Sequence, residues 1–433
     1  MCASAKVWTL EECLRYAEQN NITLQKAGLT RQSNYEEILA SKAALLPSLT
    51  ATSSQKGSVT PFRESSQTII NMSGSSTDGT ATVGSSASKW AYNGSYGVNA
   101  KWTVWNGWRN HNTIKKNQLA EESSIADSIV SARSIEEKIM QYYIQILYTK
   151  ENIKVQKSTL EFAKVNENRG KEMVRAGVMS RAECSQLTST RAQDEYNVVK
   201  AESDCRNYKR QLKALLQITN QEEFDVISPS ATDAMALKTI PSMTEVYELA
   251  HMNRPELKKA ELAVKSAEVQ EKIASAQHLP TISLEGSATA SNNSNTSDMP
   301  KQLYTGFNIG AGVSVSVPLI DQRATKTAVN KARIQRQQAL LDIRDKETTL
   351  YSTIEDYWIQ AHNNQSQYKA AKISSQAAQE SYNLLSEQFK VGIKNIVELQ
   401  EGKAKLLSAK QSELQAKYMT ILNIKMLEFY EKK

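Results

Sequence analysis

Proline and glycine are scarce over most of this chain. Its 433 residues include only 8 prolines and 16 glycines. No proline lies between Pro61 and Pro229 or after Pro318, and the stretches 108–228 and 319–433 contain only two glycines each. Proline and glycine are the residues that most readily interrupt a helix. Their absence therefore allows these stretches to form very long helices.

Residues that mark a reactive site are also rare or scattered. The 4 histidines have no metal-ligand spacing, and the chain has no phosphate-binding loop or nucleophile motif. We therefore expect no enzymatic activity, no cofactor and no metal site. Two of the 4 cysteines, Cys13 and Cys184, correspond to Val246 and Leu399 in the internal repeat described below, which predicts packing positions and not disulfides. No apolar run reaches the length of a transmembrane helix.

Charge is abundant but nearly balanced. The chain has 53 Lys and Arg, 46 Asp and Glu and a net charge of +7 at pH 7. These charges are spread along the sequence, which is typical of solvated helical surfaces. A nucleic-acid partner would favour a concentrated basic patch, so we expect none.

The N-terminus has a separate pattern. Cys2 precedes the small residues 3–5, which resemble the end of a secretory signal. Residues 1–7 are therefore interpreted as the remnant of an export signal or as an N-terminal tail. Lipidation of Cys2 is one alternative, and a segment added for expression is another.

An internal repeat is the most informative feature of the sequence. Identical residues recur 233 positions apart: Ala17, Asn20, Leu24, Lys26, Ala27, Leu29, Ser33, Ala43, Leu46 and Pro47 match Ala250, Asn253, Leu257, Lys259, Ala260, Leu262, Ser266, Ala276, Leu279 and Pro280. Further along, the spacing is 215: Ile139, Tyr142, Ile144, Gln145, Gly177 and Glu183 match Ile354, Tyr357, Ile359, Gln360, Gly392 and Glu398. The first copy therefore has 18 extra residues between Pro47 and about Val104. Two copies of this length are too few and too large for a solenoid, and favour duplicated halves of one structure.

Each copy has the same predicted order of elements. The order is a helix, a strand, a polar loop, a second strand, a very long helix, a glycine turn and a return helix. The first copy is 8–220 and the second is 243–433, with 221–242 as an equatorial linker between them. The predicted helices are 10–45, 110–172, 181–216, 243–278, 325–388 and 396–429.

The helix lengths indicate how the helices are stacked. A helix of some 60 residues is roughly 90 to 100 Å long, and each return helix is about half as long. A pre-strand helix placed end to end with a return helix would cover the rest of the apolar stripe on the long helix. The sequence therefore predicts a tall, uniform layer of antiparallel helices.

Alternation of apolar and polar residues predicts four strands. It is clearest at 307–317, continues at 281–290 and 98–104, and is weak near Leu49 and Ala51. The β part of the chain is therefore about 47–106 and 280–320. Strands of this length can cross a bilayer when tilted. Alternation alone also fits a soluble sheet with one wet and one packed face.

Tryptophan favours the membrane alternative. Four of the 6 tryptophans lie around the second strand: Trp90, Trp102, Trp105 and Trp108. Aromatic residues concentrate at membrane interfaces, so we expect these side chains to contact lipid there. Four strands cannot close a barrel, and a free sheet edge is not tolerated in lipid. Three copies would supply twelve strands, an ordinary number for a barrel, so we predict a homotrimer.

The ends of the long helices carry a recognisable pattern. The first tip is Arg175-Ala176-Gly177 through Glu183, and the second is Phe389-Lys390-Val391-Gly392 through Glu401. Related segments, Thr103-Val104-Trp105-Asn106 and Pro318-Leu319-Ile320-Asp321, follow the second and fourth strands. Two such tips at matching places in a duplicated helix and strand pattern resemble the TolC-like outer-membrane factors, or outer membrane efflux proteins.

The resemblance implies a fold, a location and a function. The implied fold is mainly α with a small β part. Three chains would form a pore that consists of a β-barrel in the outer membrane and a long antiparallel α-helical barrel, or tunnel, in the periplasm. The function is the exit duct of a tripartite efflux pump or of a type I secretion system. The implied partners are a periplasmic adaptor protein, an inner-membrane transporter of RND or ABC type, and outer-membrane lipid.

The resemblance also implies roles for residues at the tips. Glu398 and Glu401, spaced i,i+3 on one helix face, match the acidic rings at the narrowest point of the pore. Lys394 matches a basic position linked to gating, and Glu183 matches the acidic position of the first tip. The turns that would contact the adaptor include Gly177, Gly392, Arg175 and Val391. From the residues alone, Glu398 and Glu401 are also typical of solvated carboxylates near a helix start.

One other functional class remains open. A trimeric coiled-coil surface adhesin, or a structural envelope protein without a conducting pore, would share the long helices and terminal strands. Such a protein would favour a sustained heptad repeat and a single membrane anchor. The duplicated hairpins and two tip glycines of this chain favour a tunnel.

Overall fold

The computed structural model describes residues 6–59, 61, 68–69, 82–83, 90–219, 224–229, 232–294 and 298–432. Cys2 and most of the predicted N-terminal tail lie outside the described residues, as do parts of the predicted linker. The chain divides into two compact units: the first comprises Met1–Ser33, Glu121–Val264 and Gln338–Lys433, and the second comprises Asn34–Ala120 and Lys265–Gln337. Each unit therefore combines residues from both sequence copies.

Most of the described residues are helical. The helices are α1 Leu10–Asn20, α2 Ile22–Ala43, α3 Arg109–Arg175, α4 Arg181–Leu215, α5 Thr232–Ala236, α6 Met243–Asn253, α7 Pro255–Ser275, α8 Met299–Thr305, α9 Ala324–Lys390 and α10 Ile396–Glu431, with a 3-10 turn at Ala276–His278. The prediction of two very long helices is confirmed, because α3 and α9 each have 67 residues. Within the described part of the chain, no helix is both long and apolar enough to cross a membrane.

The helix before the first strand of each copy is divided, where the sequence predicted one continuous helix. The first break is at Asn21, whose side chain accepts a hydrogen bond from the Thr23 amide at 2.8 Å and donates one to the Leu215 carbonyl at 2.9 Å. The second break is at the repeat-related Arg254, which is extended with ψ of 124°. Proline disfavours the helical conformation of the residue before it, so Pro255 accounts for this break. The two copies therefore end a helix at the same place by different means.

The core of the first unit repeats together with the sequence. Cys13 and Ile139 are buried in one apolar cluster, and their counterparts Val246 and Ile354 are buried in another. Burial, with a smaller contribution from the neighbouring Glu12 carboxylate, raises the pKa of the Cys13 thiol to about 12. The thiol is therefore protonated and packs as a small apolar group. This confirms the predicted packing position of Cys13.

Four antiparallel strands form the main sheet, which lies in the second unit. The strands of the chain are β1 Lys6–Trp8, β2 Ser48–Val59, β3 Thr68–Ile69, β4 Thr82–Val83, β5 Trp90–Trp105, β6 Phe224–Val226, β7 Thr281–Asn293 and β8 Asn308–Ser316. The order in the sheet is β2-β5-β7-β8. Strands β2 and β8 therefore each have one edge without a partner strand among the described residues. The four predicted strands are confirmed, including the weak first one.

The register of the sheet separates an apolar face from a polar face. Apolar residues face one another across three strands, as in the row Trp102, Leu284 and Val313. One position earlier, Lys101 lies opposite Glu285, and their charged groups are 3.6 Å apart. Ile309, on the apolar side of β8, is 73% exposed in the single chain. An exposed apolar face on an open sheet is suited to contact with lipid or with another protein surface.

In each of the two helical hairpins, α3 with α4 and α9 with α10, a glycine on one helix faces a leucine on the other. The glycine is on the first helix of the first hairpin and on the second helix of the second hairpin. In the first hairpin, a Cβ added to Gly170 on α3 would lie 2.5 Å from Cδ1 of Leu187 on α4. In the second hairpin, a Cβ added to Gly402 on α10 would lie 2.6 Å from Cδ1 of Leu385 on α9. Gly170 corresponds to Leu385, and Leu187 corresponds to Gly402, at the repeat spacing of 215. The same small space is thus filled from opposite helices in the two copies.

This exchange predicts a paired rescue. Gly402→Leu should overpack the second hairpin and destabilise it by about 1–3 kcal/mol. Adding Leu385→Gly to that variant recreates the arrangement of the first hairpin and leaves the numbers of helical glycines and leucines unchanged. The double variant should therefore regain most of the lost stability, as measured by the midpoint of thermal unfolding followed by helix circular dichroism. Leu385→Gly alone is the matched control, because it opens a cavity and should remain destabilised. A double variant less stable than both single variants would contradict the packing.

Candidate functional site at the helical tips

The first tip is a tight turn between α3 and α4. The exposed Arg175 is the last residue of α3, and Gly177 has a φ of +73°. The Val178 amide donates to the Met173 carbonyl at 2.9 Å, and the Gly177 amide donates to the Val174 carbonyl at 3.1 Å. This is the Schellman arrangement, which ends a helix with a residue in the left-handed region. Glycine adopts that conformation without a Cβ clash.

The second tip repeats this geometry between α9 and α10. Gly392 has a φ of +75°. The Ile393 amide donates to the Gln388 carbonyl at 3.0 Å, and the Gly392 amide donates to the Phe389 carbonyl at 3.2 Å. Val391, directly before the glycine, is 70% exposed. The structure therefore places Gly177 and Gly392 in equivalent turns.

A capping box starts the return helix at each tip. At the first tip, the Ser180 hydroxyl accepts from the Glu183 amide at 3.2 Å, and the Glu183 carboxylate accepts from the Ser180 amide at 2.9 Å. At the second tip, Asn395 and Glu398 make the same reciprocal bonds at 3.0 and 3.2 Å. These bonds satisfy amides that the first turn of a helix leaves unpaired. Glu183 and Glu398 thus each have a structural role at a helix start.

The charged side chains at the second tip are not equivalent. The Lys394 ammonium lies 2.5 Å from the Glu398 carboxylate. That contact, followed by the bond from the Asn395 amide, lowers the pKa of Glu398, so its carboxyl group is ionised at neutral pH. Glu401 is exposed one turn further along α10, and no described cationic group lies within 4 Å of it. Of the two predicted ring residues, Glu398 is therefore partly neutralised and Glu401 is not.

Glu183 at the first tip resembles Glu398 in its electrostatics but has no lysine partner among the described residues. Hydrogen bonds from the amide and then the hydroxyl of Ser180 lower the pKa of its carboxyl group. A carboxylate that accepts such bonds is stabilised in its charged form. Both tips therefore present a permanent negative charge at the start of the return helix, where the helix dipole also favours it.

Polar contacts between the two hairpins lie a few turns from the tips and were not predicted from the sequence. Asp194 on α4 forms an ion pair with Lys403 on α10, and the side chains are only 7% and 12% exposed. The Gln400 amide donates to the Thr190 hydroxyl at 3.0 Å. These partners are about 210 residues apart in the chain, so no local pattern marks them. They connect the return helices of the two hairpins.

An apolar cluster lies beside these polar contacts. Its buried members are Leu187, Tyr382, Phe389, Ile396, Leu399 and Leu406. By contrast, Val178 and Ile393 are 69% and 72% exposed directly at the turns. The tips therefore combine a packed interior with an exposed apolar end, which is a surface suited to contact with another protein.

The predicted interfacial tryptophans belong to the second unit and lie at both ends of β5. Trp90 begins the strand and Trp105 ends it. The Trp102 indole donates to the Leu45 carbonyl at 2.8 Å, and Trp108 packs against His111 with ring centroids 4.8 Å apart. Trp90 thus lies at one end of the strand, and Trp102, Trp105 and Trp108 lie near the other end. Their contact with lipid stays a prediction.

No metal centre accompanies these features. Among the residues that the structure describes, no group of three or more His, Cys, Asp or Glu side chains is placed to hold a metal ion.

Comparison with known proteins shows which proteins the chain resembles. The family described as "Outer membrane efflux protein" matches residues 246–426. The outer membrane protein TolC of Vibrio cholerae serotype O1 is 23% identical, and the alignment covers 98% of this chain and 91% of that protein.

Solved structures share the fold at low identity. The outer membrane protein VceC of Vibrio cholerae has a TM-score of 0.74 at 14% identity, with 98% of this chain and 96% of that chain covered. The outer membrane channel CmeC of Campylobacter jejuni has a TM-score of 0.76 at 16% identity, with 98% and 85% covered. The chain therefore resembles TolC-like outer membrane efflux proteins over nearly its whole length and shares the fold of solved outer membrane channels.

Proposed function

We propose that the chain is the subunit of a trimeric exit duct that carries small molecules or proteins out of the cell. The duct would receive its cargo from an inner-membrane transporter of RND or ABC type through a periplasmic adaptor. The observation that carries this proposal is the four-stranded sheet with two open edges and one exposed apolar face. In lipid, backbone groups at an open edge require partners. Three sheets joined edge to edge would form a closed barrel of twelve strands.

The tips are proposed to form the gate of this duct. In a trimer, each residue of the second tip is present three times around one axis. Glu401, whose charge has no nearby described cation, would form the main acidic ring, while Glu398 with Lys394 would form a partly neutralised ring. The Asp194 and Lys403 pair supports a closed arrangement, because it ties the two return helices together near this ring.

The exposed apolar ends of the turns are proposed as the adaptor contact. Val178, Val391 and Ile393 surround the two glycine turns and are exposed in the single chain. A periplasmic protein with its own apolar ends could cover them. Arg175, Gly177 and Gly392 lie in the same turns and would contribute to this surface.

The alternative is a trimeric adhesin or a structural envelope protein without a pore. It shares the open sheet and the long helices, and differs in one measurable property. A conducting pore in planar bilayers favours the duct, and its absence in correctly assembled protein favours the alternative.

The first prediction concerns assembly. Protein extracted from outer membranes in detergent should have three times the chain mass of 48.3 kDa, because further copies would pair the edges of β2 and β8 that have no partner strand among the described residues. Light scattering with subtraction of the detergent contribution measures this mass. A folded and stable monomer would contradict the proposed barrel.

The second prediction concerns the faces of the sheet. Val313 lies on the apolar face opposite Leu284, and the next residue, Ser314, lies on the polar face opposite Ser283. Val313→Arg should reduce the yield of protein in the outer membrane much more than Ser314→Arg, since arginine on a lipid-facing surface costs about 2–4 kcal/mol at the bilayer midplane. Ser314→Arg is the matched control in the same strand. Equal yields of the two variants would mean that the apolar face does not contact lipid.

The third prediction concerns the acidic ring. Glu401→Gln should lower the ratio of cation to anion permeability in single-channel recordings at least about twofold, because three unpaired carboxylates are removed from one ring. Glu398→Gln should have a smaller effect, since glutamine retains the capping box and Lys394 already offsets that charge. Glu183→Gln is the control at the first tip. If the Glu401→Gln channel keeps its cation preference, the constriction is elsewhere.

A further inference from the structure

Residues 224–241, here called the strap, join the two sequence copies and contact both hairpins. The structure describes 224–229 and 232–241 of this segment. In its first part, the Ile227 carbonyl accepts from the Tyr143 hydroxyl of α3 at 2.7 Å. In its second part, the Ala236 and Lys238 carbonyls both accept from the Gln365 side chain of α9 at 3.0 Å. The strap therefore lies first against α3 and then against α9.

The first part of the strap has a charged anchor on the first hairpin. An oxygen of the Asp225 carboxylate lies 2.8 Å from the Lys150 ammonium of α3 and 3.0 Å from the Lys209 ammonium of α4. All three side chains are half-buried. Burial acts to raise the pKa of Asp225, but the hydrogen bonds from the two lysines outweigh it, so the pKa is lowered and the carboxylate is charged.

The second part has an anchor of the same design on the second hairpin. The Asp233 carboxylate lies 2.9 Å from the Lys372 ammonium of α9 and 2.5 Å from the Lys417 ammonium of α10. Hydrogen bonds from Lys417 and then Lys372 lower the pKa of Asp233 to about 2. Each hairpin thus presents two lysines, one from each helix, to a single carboxylate of the strap.

The internal repeat shows that the second anchor is not an obligatory feature of a hairpin. At the spacing of 215, Lys372 corresponds to Lys157 and Lys417 corresponds to Glu202. In the first hairpin, Lys157 and Glu202 form a direct ion pair at 2.8 Å. In the second hairpin, the same two positions carry like charges, which repel unless an anion lies between them. Asp233 supplies that anion from outside the hairpin.

We propose that the strap couples the two hairpins, with Asp225 and Asp233 as its anchors, so that the ion pairs of the two carboxylates oppose movement of one hairpin relative to the other. The coupling is a property of the single chain and does not depend on the transported cargo. The strap holds the part of each hairpin that lies beside it. The described residues of the strap do not contact the tips.

Hydrogen exchange of the purified full-length protein in detergent tests the anchors. Asp233→Asn should speed the exchange of amides in 232–238 at least about fivefold, because two ion pairs are lost from that part of the strap. Exchange in 224–229 should change less than about twofold. Asp225→Asn should give the reverse pattern, and the double variant should loosen both parts. Asp233→Glu keeps the charge and is the matched control.

A charge transfer guided by the repeat sharpens the test. Adding Lys417→Glu to Asp233→Asn places Lys372 opposite a glutamate, as in the first hairpin. In Asp233→Asn, the repulsion between Lys372 and Lys417 should also speed exchange of the α9 and α10 amides around these two residues. The added Lys417→Glu should restore the protection of those helix amides, while 232–238 should remain loose. This result would separate the anchoring of the strap from the cohesion of the hairpin.

Three outcomes would overturn the proposal. Exchange within about twofold of the parent protein in both aspartate variants would show that the carboxylates do not hold the strap. A uniform increase over the whole chain in either variant would indicate general destabilisation and not a local anchor. Restored protection of 232–238 in the variant that carries both Asp233→Asn and Lys417→Glu would place the anchor elsewhere. None of these measurements requires a conducting channel, so they are independent of the proposed duct.

Discussion

The constraint on which the proposed assembly depends is that backbone amides and carbonyls must be paired in lipid. The free edges of β2 and β8 each present a row of amides and carbonyls, and water is not available to satisfy them inside a bilayer. The apolar face of the same sheet is exposed and suited to lipid. A single chain therefore contains strands and faces suited to a membrane barrel, and the closure of that barrel by further copies is part of the proposed function. The long helices have a charged and glycine-poor sequence, which is typical of helices with solvated surfaces.

The duplicated halves reach similar geometry with different residues. The hairpins exchange glycine and leucine between opposite helices, as Gly170 with Leu187 and Leu385 with Gly402 show. They also differ in how they balance charge, because the direct pair of Lys157 and Glu202 is replaced by lysines that share an aspartate from the strap. In both hairpins the space between the helices is filled and the charges of neighbouring side chains are balanced. The residues that achieve this differ between the two halves.

Local patterns predicted the elements of this chain, whereas contacts between distant residues could not be predicted. The lack of proline and glycine indicated α3 and α9, and alternation indicated β8, because both signals repeat within a few residues. The break at Arg254 was missed, since apolar periodicity continues across it and only Pro255 marks the boundary. The ion pair of Asp194 with Lys403 and the bridge of Asp233 to Lys417 join residues far apart in the chain. Their partners become neighbours only after the hairpins have packed. At the tip, the i,i+3 spacing placed Glu398 and Glu401 on one face but did not reveal that Lys394 offsets only one of them.

The turns at the tips also have a consequence for the order of folding. Every backbone hydrogen bond that closes Gly177 or Gly392 joins residues at most six positions apart, and each capping box spans three positions. Contacts of such short range form quickly and need little loop closure. Each hairpin can therefore begin to form at its own tip, from contacts within a single chain. The sheet pairs β5 with β7 of the other sequence copy, a contact of long range in the chain, so it is expected to form after the tips.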